Sequence, residues 1–264
     1  MRTTFETLIF DSPSPHIGRV TLNRPEVANA VNTRMGLDLV ALWNELGADR
    51  EDYRCIIMTG AGGRAFCAGG DLKERLEMSN EQWTAQHRII EAAVRAQLAC
   101  RLPVIAAVNG AAYGGGLELA LCCDFIYAAD TARFALPEVS IGIIPGAGGT
   151  QNLARALGER RAKELILTGK SFDATEAAAW KLVNRVVKPE RLMQASIETG
   201  EQIVANAPIA VRCAKDAIHR GLQCELAEGM RLEIALYDTL IASDDRREGV
   251  RSFSEKRAPR FSGR

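Results

Sequence analysis

Three observations predict an α/β fold. Two short apolar runs, Cys55–Thr59 and Val104–Val108, have the length and composition of strands buried on both faces. Strands and helical patterns alternate along most of the chain, as in α/β units and not as in a helical bundle. After Pro189 the alternation stops and only helical patterns follow.

Taken in order, Phe5–Phe10 and Ile17–Leu22 read as two strands around the turn cluster Ser12-Pro-Ser-Pro15. Asn32 or Thr33 caps a helix with Met35, Leu39, Leu42 and Leu46 on one face, and Asp49–Tyr53 is a polar connection to the Cys55 strand. The loop Gly60–Lys73 is glycine-rich but matches neither dinucleotide nor P-loop spacing. Ser79-x-x-Gln82 is a capping box opening a helix through Leu98, which ends before Pro103. The Val104 strand leads into Asn109–Asp124, where Gly114, Gly115 and Gly116 open a helical run. Phe125–Ala129, Ala132–Ala135 and Leu182–Val187 read as strands. Gln151–Leu157, Glu159–Thr168 and Ala174–Trp180 read as helices, the last with Asp173-x-x-Glu176 as its capping box. Glu190–Asn206, Ile209–Arg220, Leu226–Ile241 and Asp244–Glu255 are the closing helices. Leu226, Met230, Ile234, Tyr237 and Ile241 form one apolar stripe, the mark of core or subunit interface.

Composition narrows the function classes. Acidic and basic residues balance at 33 each, which removes net charge as an argument for nucleic acid or an anionic membrane. The tail Arg246–Arg264 is locally basic, with a solvated face and phosphate binding both open. Seven cysteines without a Cys-x-x-Cys argue against a disulfide framework or zinc site and for a reducing compartment. His16, His87 and His219 show no metal-ligand spacing, so no metal is expected. The N-terminus lacks a signal-peptide core, and the apolar region Val104–Ala129 is broken by glycines and acids. A soluble cytoplasmic protein is expected, with no membrane span.

The chemistry-bearing feature is the recurrence of strand, glycine turn and helix start. The first amides of a helix lack partners within it and lie at the positive end of its dipole. Two such turns can each aim one N–H at a single oxygen. Glu118 lies in a first helical turn, where the dipole stabilises a carboxylate whether or not it does chemistry. Glu138 follows Pro137, a pair that also marks a simple helix start.

As an ordered set, Ala65–Glu74, Ala107–Ala120, Cys123–Ala128, Pro137-Glu138, Gly142–Gln151 and Phe253–Arg257 resemble the crotonase (enoyl-CoA hydratase/isomerase) superfamily. The resemblance spans nearly the whole chain. It implies a spiral of ββα units over residues 1–200 and a C-terminal helical region over 201–264 that builds homotrimers or hexamers. It implies an acyl-CoA thioester as substrate and no cofactor. By motif match, the N–H groups of Gly70 and Gly115 form an oxyanion hole, Glu118 activates water, and Glu138 donates the α-carbon proton. Gly146 helps hold the water, and the backbone around Ala68, Asp71 and Leu72 lines the adenine pocket. Gly70 stands where many hydratases have alanine. Both glutamates are present, the pattern of two-glutamate hydratases, whereas isomerases usually keep only the acid at position 138. Phe66–Arg75 and Glu255–Phe261 are most similar to the methylglutaconyl-CoA hydratase branch. Some relatives of that branch bind RNA through a lysine-rich helix, but Lys73–Ser79 carries as many acids as bases, which disfavours nucleic acid here. Lys73, Arg75 and the basic tail are candidates for the CoA phosphates, and Trp83, Met78 and Tyr113 for the acyl pocket.

Overall fold

The computed structural model describes residues 5–47 and 52–264. Met1–Thr4 and the Asp49–Glu51 part of the polar connection lie outside the described residues. The α/β prediction holds, and the strands divide between two sheets. The large sheet has six strands: β1 (Leu8–Ser14), β2 (Ile17–Leu22), β3 (Cys55–Gly60), β5 (Val104–Val108), β7 (Phe125–Ala129) and β10 (Arg185–Val187), adjacent in that order. Only β1–β2 is antiparallel; β2 to β10 run parallel. The small sheet has four: β4 (Ala65–Cys67), β6 (Ala111–Tyr113), β8 (Arg133–Ala135) and β9 (Phe172–Asp173).

This division makes a repeat. β3, β5 and β7 each lie in the large sheet, and the strand that follows each one lies in the small sheet. A helix or tight turn then follows: α2 (Leu72–Leu76) after β4, α4 (Gly115–Leu121) after β6, and a 3₁₀ turn (Glu138–Ile141) after β8. Because β4, β6 and β8 pair in parallel, with Cys67 opposite Ala112 and Tyr113 opposite Ala135, their C-terminal ends lie side by side. Three consecutive repeats therefore deliver three loops to one place.

Strands β3 and β5 are buried throughout because both faces of the sheet are covered there. Ile56, Met58, Val104 and Ala106 face the main core with α1 (Thr33–Gly47) and α3 (Asn80–Leu98), whose inward residues include Met35, Leu39, Leu42, Ala93 and Val94. Cys55, Ile57, Ile105 and Ala107 face the other way, against Leu192 and Ile197 of α8 (Pro189–Val204). Helices α5 (Gly149–Leu157), α6 (Glu159–Thr168) and α7 (Ala174–Ala179) precede α8; α9 (Pro208–Gly221), α10 (Leu226–Ile241) and α11 (Asp244–Ser254) follow it.

Both capping boxes form: Ser79 with Gln82 at α3, and Asp173 with Glu176 at α7. Asn32 Oδ1 accepts the N–H of Met35 at 2.9 Å. The first strand departs from the sequence reading. β1 runs on through Ser12 and Pro13, with a register irregularity between Asp11 and Ser14, and the chain reverses at His16 at φ 61°. β1 is an edge strand, where a proline without an N–H is tolerated. β4 and β6 are strands that the sequence pattern does not predict. Strands of three residues are too short to show an alternating pattern.

Candidate active site

The loop after β4 is held from below. Asp71 caps α2, its Oδ1 accepting the N–H groups of Lys73 and Glu74 at 3.2 and 3.3 Å. Its Oδ2 pairs with Arg24 Nη1 at 2.9 Å. Arg24 and the capped amides hold the Asp71 carboxyl below the usual range, against the opposing effect of burial. Gly70 bridges in parallel to Val31. The bonds of that bridge are Val31 N–H to Gly69 O at 2.7 Å and Asp71 N–H to Val31 O at 2.9 Å. They leave the N–H of Gly70 itself outside the pairing.

The loop after β6 meets this one at van der Waals distance. A Cβ at Gly116 would lie 2.0 Å from Cys67 O, so glycine is required for the approach. Gly114, at φ +52°, turns the chain into α4. Gly115 is the first residue of α4, and its N–H has no partner within the helix. A Cβ on Gly115 would stand 3.8 Å from Gly70 N. The two expected oxyanion donors thus belong to touching loops.

Both glutamates face the same space. Glu118, one turn into α4, is 3% exposed. Its Oε1 accepts the N–H groups of Ala147 and Gly149 at 2.7 and 2.8 Å. Burial pushes its carboxyl up; the two amides and Arg75 oppose the rise. Glu138, in the turn after β8, has a buried Oε2 with no hydrogen-bond partner. Its Oε1 lies 3.1 Å from where a Cβ on Gly114 would stand. Burial, with a smaller contribution from the Glu118 charge, raises the Glu138 carboxyl to about 7. Two carboxyls held this way titrate as a coupled pair.

A cavity of about 740 Å³ opens over these groups. Gly70, Gly115, Glu118, Glu138 and Gly146 line it, as do Ala68 and Leu72 at the first loop. Its far end, between α1 and α3, is apolar: Gly36, Leu39, Ile90, Ala93 and Val94. Asp71 does not line it; its backbone N–H is bound to Val31 and its carboxylate to Arg24 and the start of α2. Of the three acyl-pocket candidates, Trp83 reaches the cavity, while Met78 and Tyr113 do not line it.

Among the cavity residues, His87 carries no site role in the sequence reading, and Arg75 takes a different direction from the expected one. His87 lines the wall, its Cε1 2.6 Å from a Cβ built on Gly146. Its signal was the i, i+4 spacing from Trp83 on α3. Arg75, expected toward CoA phosphates, turns instead against Gly70 and stacks 4.7 Å over the Trp83 ring. Among the described residues, no group of three or more His, Cys, Asp or Glu is placed to hold a metal ion. None of the described helices is long and apolar enough to cross a membrane.

Comparison with known proteins agrees with this geometry. The family profile described as enoyl-CoA hydratase/isomerase matches residues 14–264. The chain is 44% identical to YngF of Bacillus subtilis over 258 residues, covering 98% of this chain and 99% of the relative. It is 40% identical to the short-chain-enoyl-CoA hydratase of Clostridium acetobutylicum over 238 residues, 90% of this chain and 91% of the relative. The crystal structure of an enoyl-CoA hydratase from Bacillus anthracis superposes with a TM-score of 0.96 at 42% identity, covering 98% of this chain and 100% of that one. Two apposed glycine loops, paired carboxyls and full-length similarity lead to one statement: this chain belongs to the enoyl-CoA hydratase/isomerase family, within the crotonase superfamily.

Proposed function

We propose that the protein is an enoyl-CoA hydratase, a hydro-lyase that adds water reversibly and syn to a 2-enoyl-CoA to give a 3-hydroxyacyl-CoA. The observation that carries this reading is the placement of Glu118 and Glu138 on the cavity that Gly70 and Gly115 also line. The thioester oxygen accepts the N–H groups of Gly70 and Gly115. An aimed donor of this kind contributes about 3 kcal/mol as negative charge grows on the oxygen. The polarised carbonyl makes C3 electrophilic. Glu118 takes a proton from water, the hydroxide oxygen bonds to C3, and Glu138 gives its proton to C2. The raised Glu138 carboxyl suits a proton donor near neutral pH. Gly146, beside Ala147 in the loop that holds Glu118, is placed to help hold the water. Ala68 and Leu72 at the cavity mouth support binding of the CoA moiety there. The thioester carbonyl is the electron sink, so the proposed reaction takes no cofactor.

The finer assignments rest on less. The Phe66–Arg75 and Glu255–Phe261 similarity supports a methylglutaconyl thioester as the acyl group. The exposed apolar side chains of α10 support a homotrimer or hexamer built by the 201–264 region. Seven free cysteines fit a reducing, cytoplasmic setting.

The test is loss of conjugated-enone absorbance with crotonyl-, hexenoyl-, methylcrotonyl- and methylglutaconyl-CoA. Hydration of at least one is expected, and Glu118→Gln should reduce it by about 10²–10⁴-fold. Silence across all four overturns the reading. Hydration lost with double-bond isomerisation untouched would mean that Glu138 alone shuttles a proton between carbons.

A further inference from the structure

The reaction above makes no use of Arg75, yet a connected set of side chains fixes it. Arg75 Nε donates to Gln86 Oε1 at 2.7 Å, and its guanidinium stacks on Trp83. Gln86 is buried and donates in turn to Thr33 Oγ1 at 2.9 Å and Glu74 Oε2 at 2.6 Å. The N–H of Thr33 donates to the same Glu74 oxygen at 3.0 Å. One polar network thus joins the N-terminal ends of α1, α2 and α3. It leaves the Nη end of Arg75 against the first glycine loop, where a Cβ on Gly70 would lie 2.9 Å from Nη1 and 3.3 Å from Nη2. The same cavity holds Glu118.

We propose, resting on the hydratase reading, that Arg75 is a positioning residue for the reaction itself: a fixed cation that keeps Glu118 as the carboxylate and adds positive charge beside the Gly70 donor. A guanidinium stays charged in proteins, so its field is constant across the working pH range. Glu118 needs such a field. It is buried, it faces Glu138, and only one of its oxygens is held by main-chain donors. The other groups around it supply no fixed positive charge. Glu138 comes from the turn after β8 and Cys122 from the C-cap of α4, its thiol pushed up to about 12 and therefore neutral. His87 from α3 sits across Gly146, and Glu74 of α2 adds negative charge behind Arg75. Arg75 acts at the glutamate and the thioester end, so its effect does not depend on what the acyl tail carries.

The experiment is the pH profile of kcat/KM for hydration of crotonyl-CoA and methylglutaconyl-CoA by wild type, Arg75→Met and Arg75→Lys. Loss of the cation raises the Glu118 carboxyl, so the acidic limb of the Arg75→Met profile moves to higher pH, by about 0.5 unit or more. Its kcat/KM falls at least about tenfold on both substrates, and Arg75→Lys restores the limb. Should Arg75→Met fail to fold, Arg75→Gln against Arg75→Lys carries the same comparison. An unmoved acidic limb overturns the inference. So does a loss confined to methylglutaconyl-CoA, which would make Arg75 a partner for the acyl carboxylate. Wild-type silence on every thioester overturns the hydratase reading itself, a result distinct from either.

Discussion

At the scale of single residues, the two carboxyls differ in what surrounds them. Glu118 has two main-chain donors and a nearby cation, while Glu138 has a bare, buried oxygen. That difference favours the charged form of Glu118 over that of Glu138, as a pairing of one base with one acid requires. In the proposed reaction hydration uses the protonated form of Glu138, whose carboxyl is raised to about 7. As pH rises through that value the acid is lost, so kcat/KM for hydration falls on the alkaline side. Dehydration starts from the same singly protonated pair with the proton on Glu118, and the overall reaction takes up no proton, so its kcat/KM falls in parallel. Initial rates in both directions across neutral pH check this; a hydration profile flat into alkaline pH contradicts it. The gathering of Glu118, Glu138, Gly70 and Gly115 on one cavity was legible in the sequence because their motifs resemble a known family. His87 and the direction of Arg75 were not. Which wall a side chain joins depends on how α2 packs across α3, and no local pattern encodes that.

Secondary-structure elements explain why the pieces converge. The α/β alternation, both capping boxes and the closing helices could be read from period and turn chemistry. The small sheet could not, since β4 and β6 are three residues each and gain their pairing only from the repeat. The contact that seals the repeat is Gly116 against Cys67 O. Gly116→Ala must push β4 and α4 apart, because the obstacle is backbone. The expected cost is about 1–3 kcal/mol or more, with a large fall in kcat/KM as the Gly70 and Gly115 donors separate. Gly63→Ala is the control, having nothing within 4 Å of its Cβ. Thermal melts and crotonyl-CoA hydration measure both effects, and a Gly116→Ala enzyme equal to that control refutes the account.

For the whole molecule, the apolar face on α10 is an exposed surface feature among the described residues. Leu226, Met230, Ile234 and Tyr237 are 78, 59, 57 and 63% exposed. The stripe visible in the sequence therefore does not join the core of its own chain. Exposed apolar area of this kind marks an interface. Light scattering on the purified chain should give a trimer or a multiple of it, and Met230→Glu with Ile234→Glu should give smaller species. A wild-type monomer would remove the assembly proposal and leave the site untouched.

The parallel ladder of β4, β6 and β8 has a broader consequence. Neighbouring strands lie ~4.8 Å apart, so the reach between carbonyl grip and acid is dictated by sheet geometry and not by any one side chain. The room for the tail comes from elsewhere, from α1 and α3. In the proposed hydratase, chemistry and chain-length preference are thereby built on separate walls. Reshaping Leu39, Ile90 or Ala93 can retune which thioesters fit while the bond-making apparatus stays as it is.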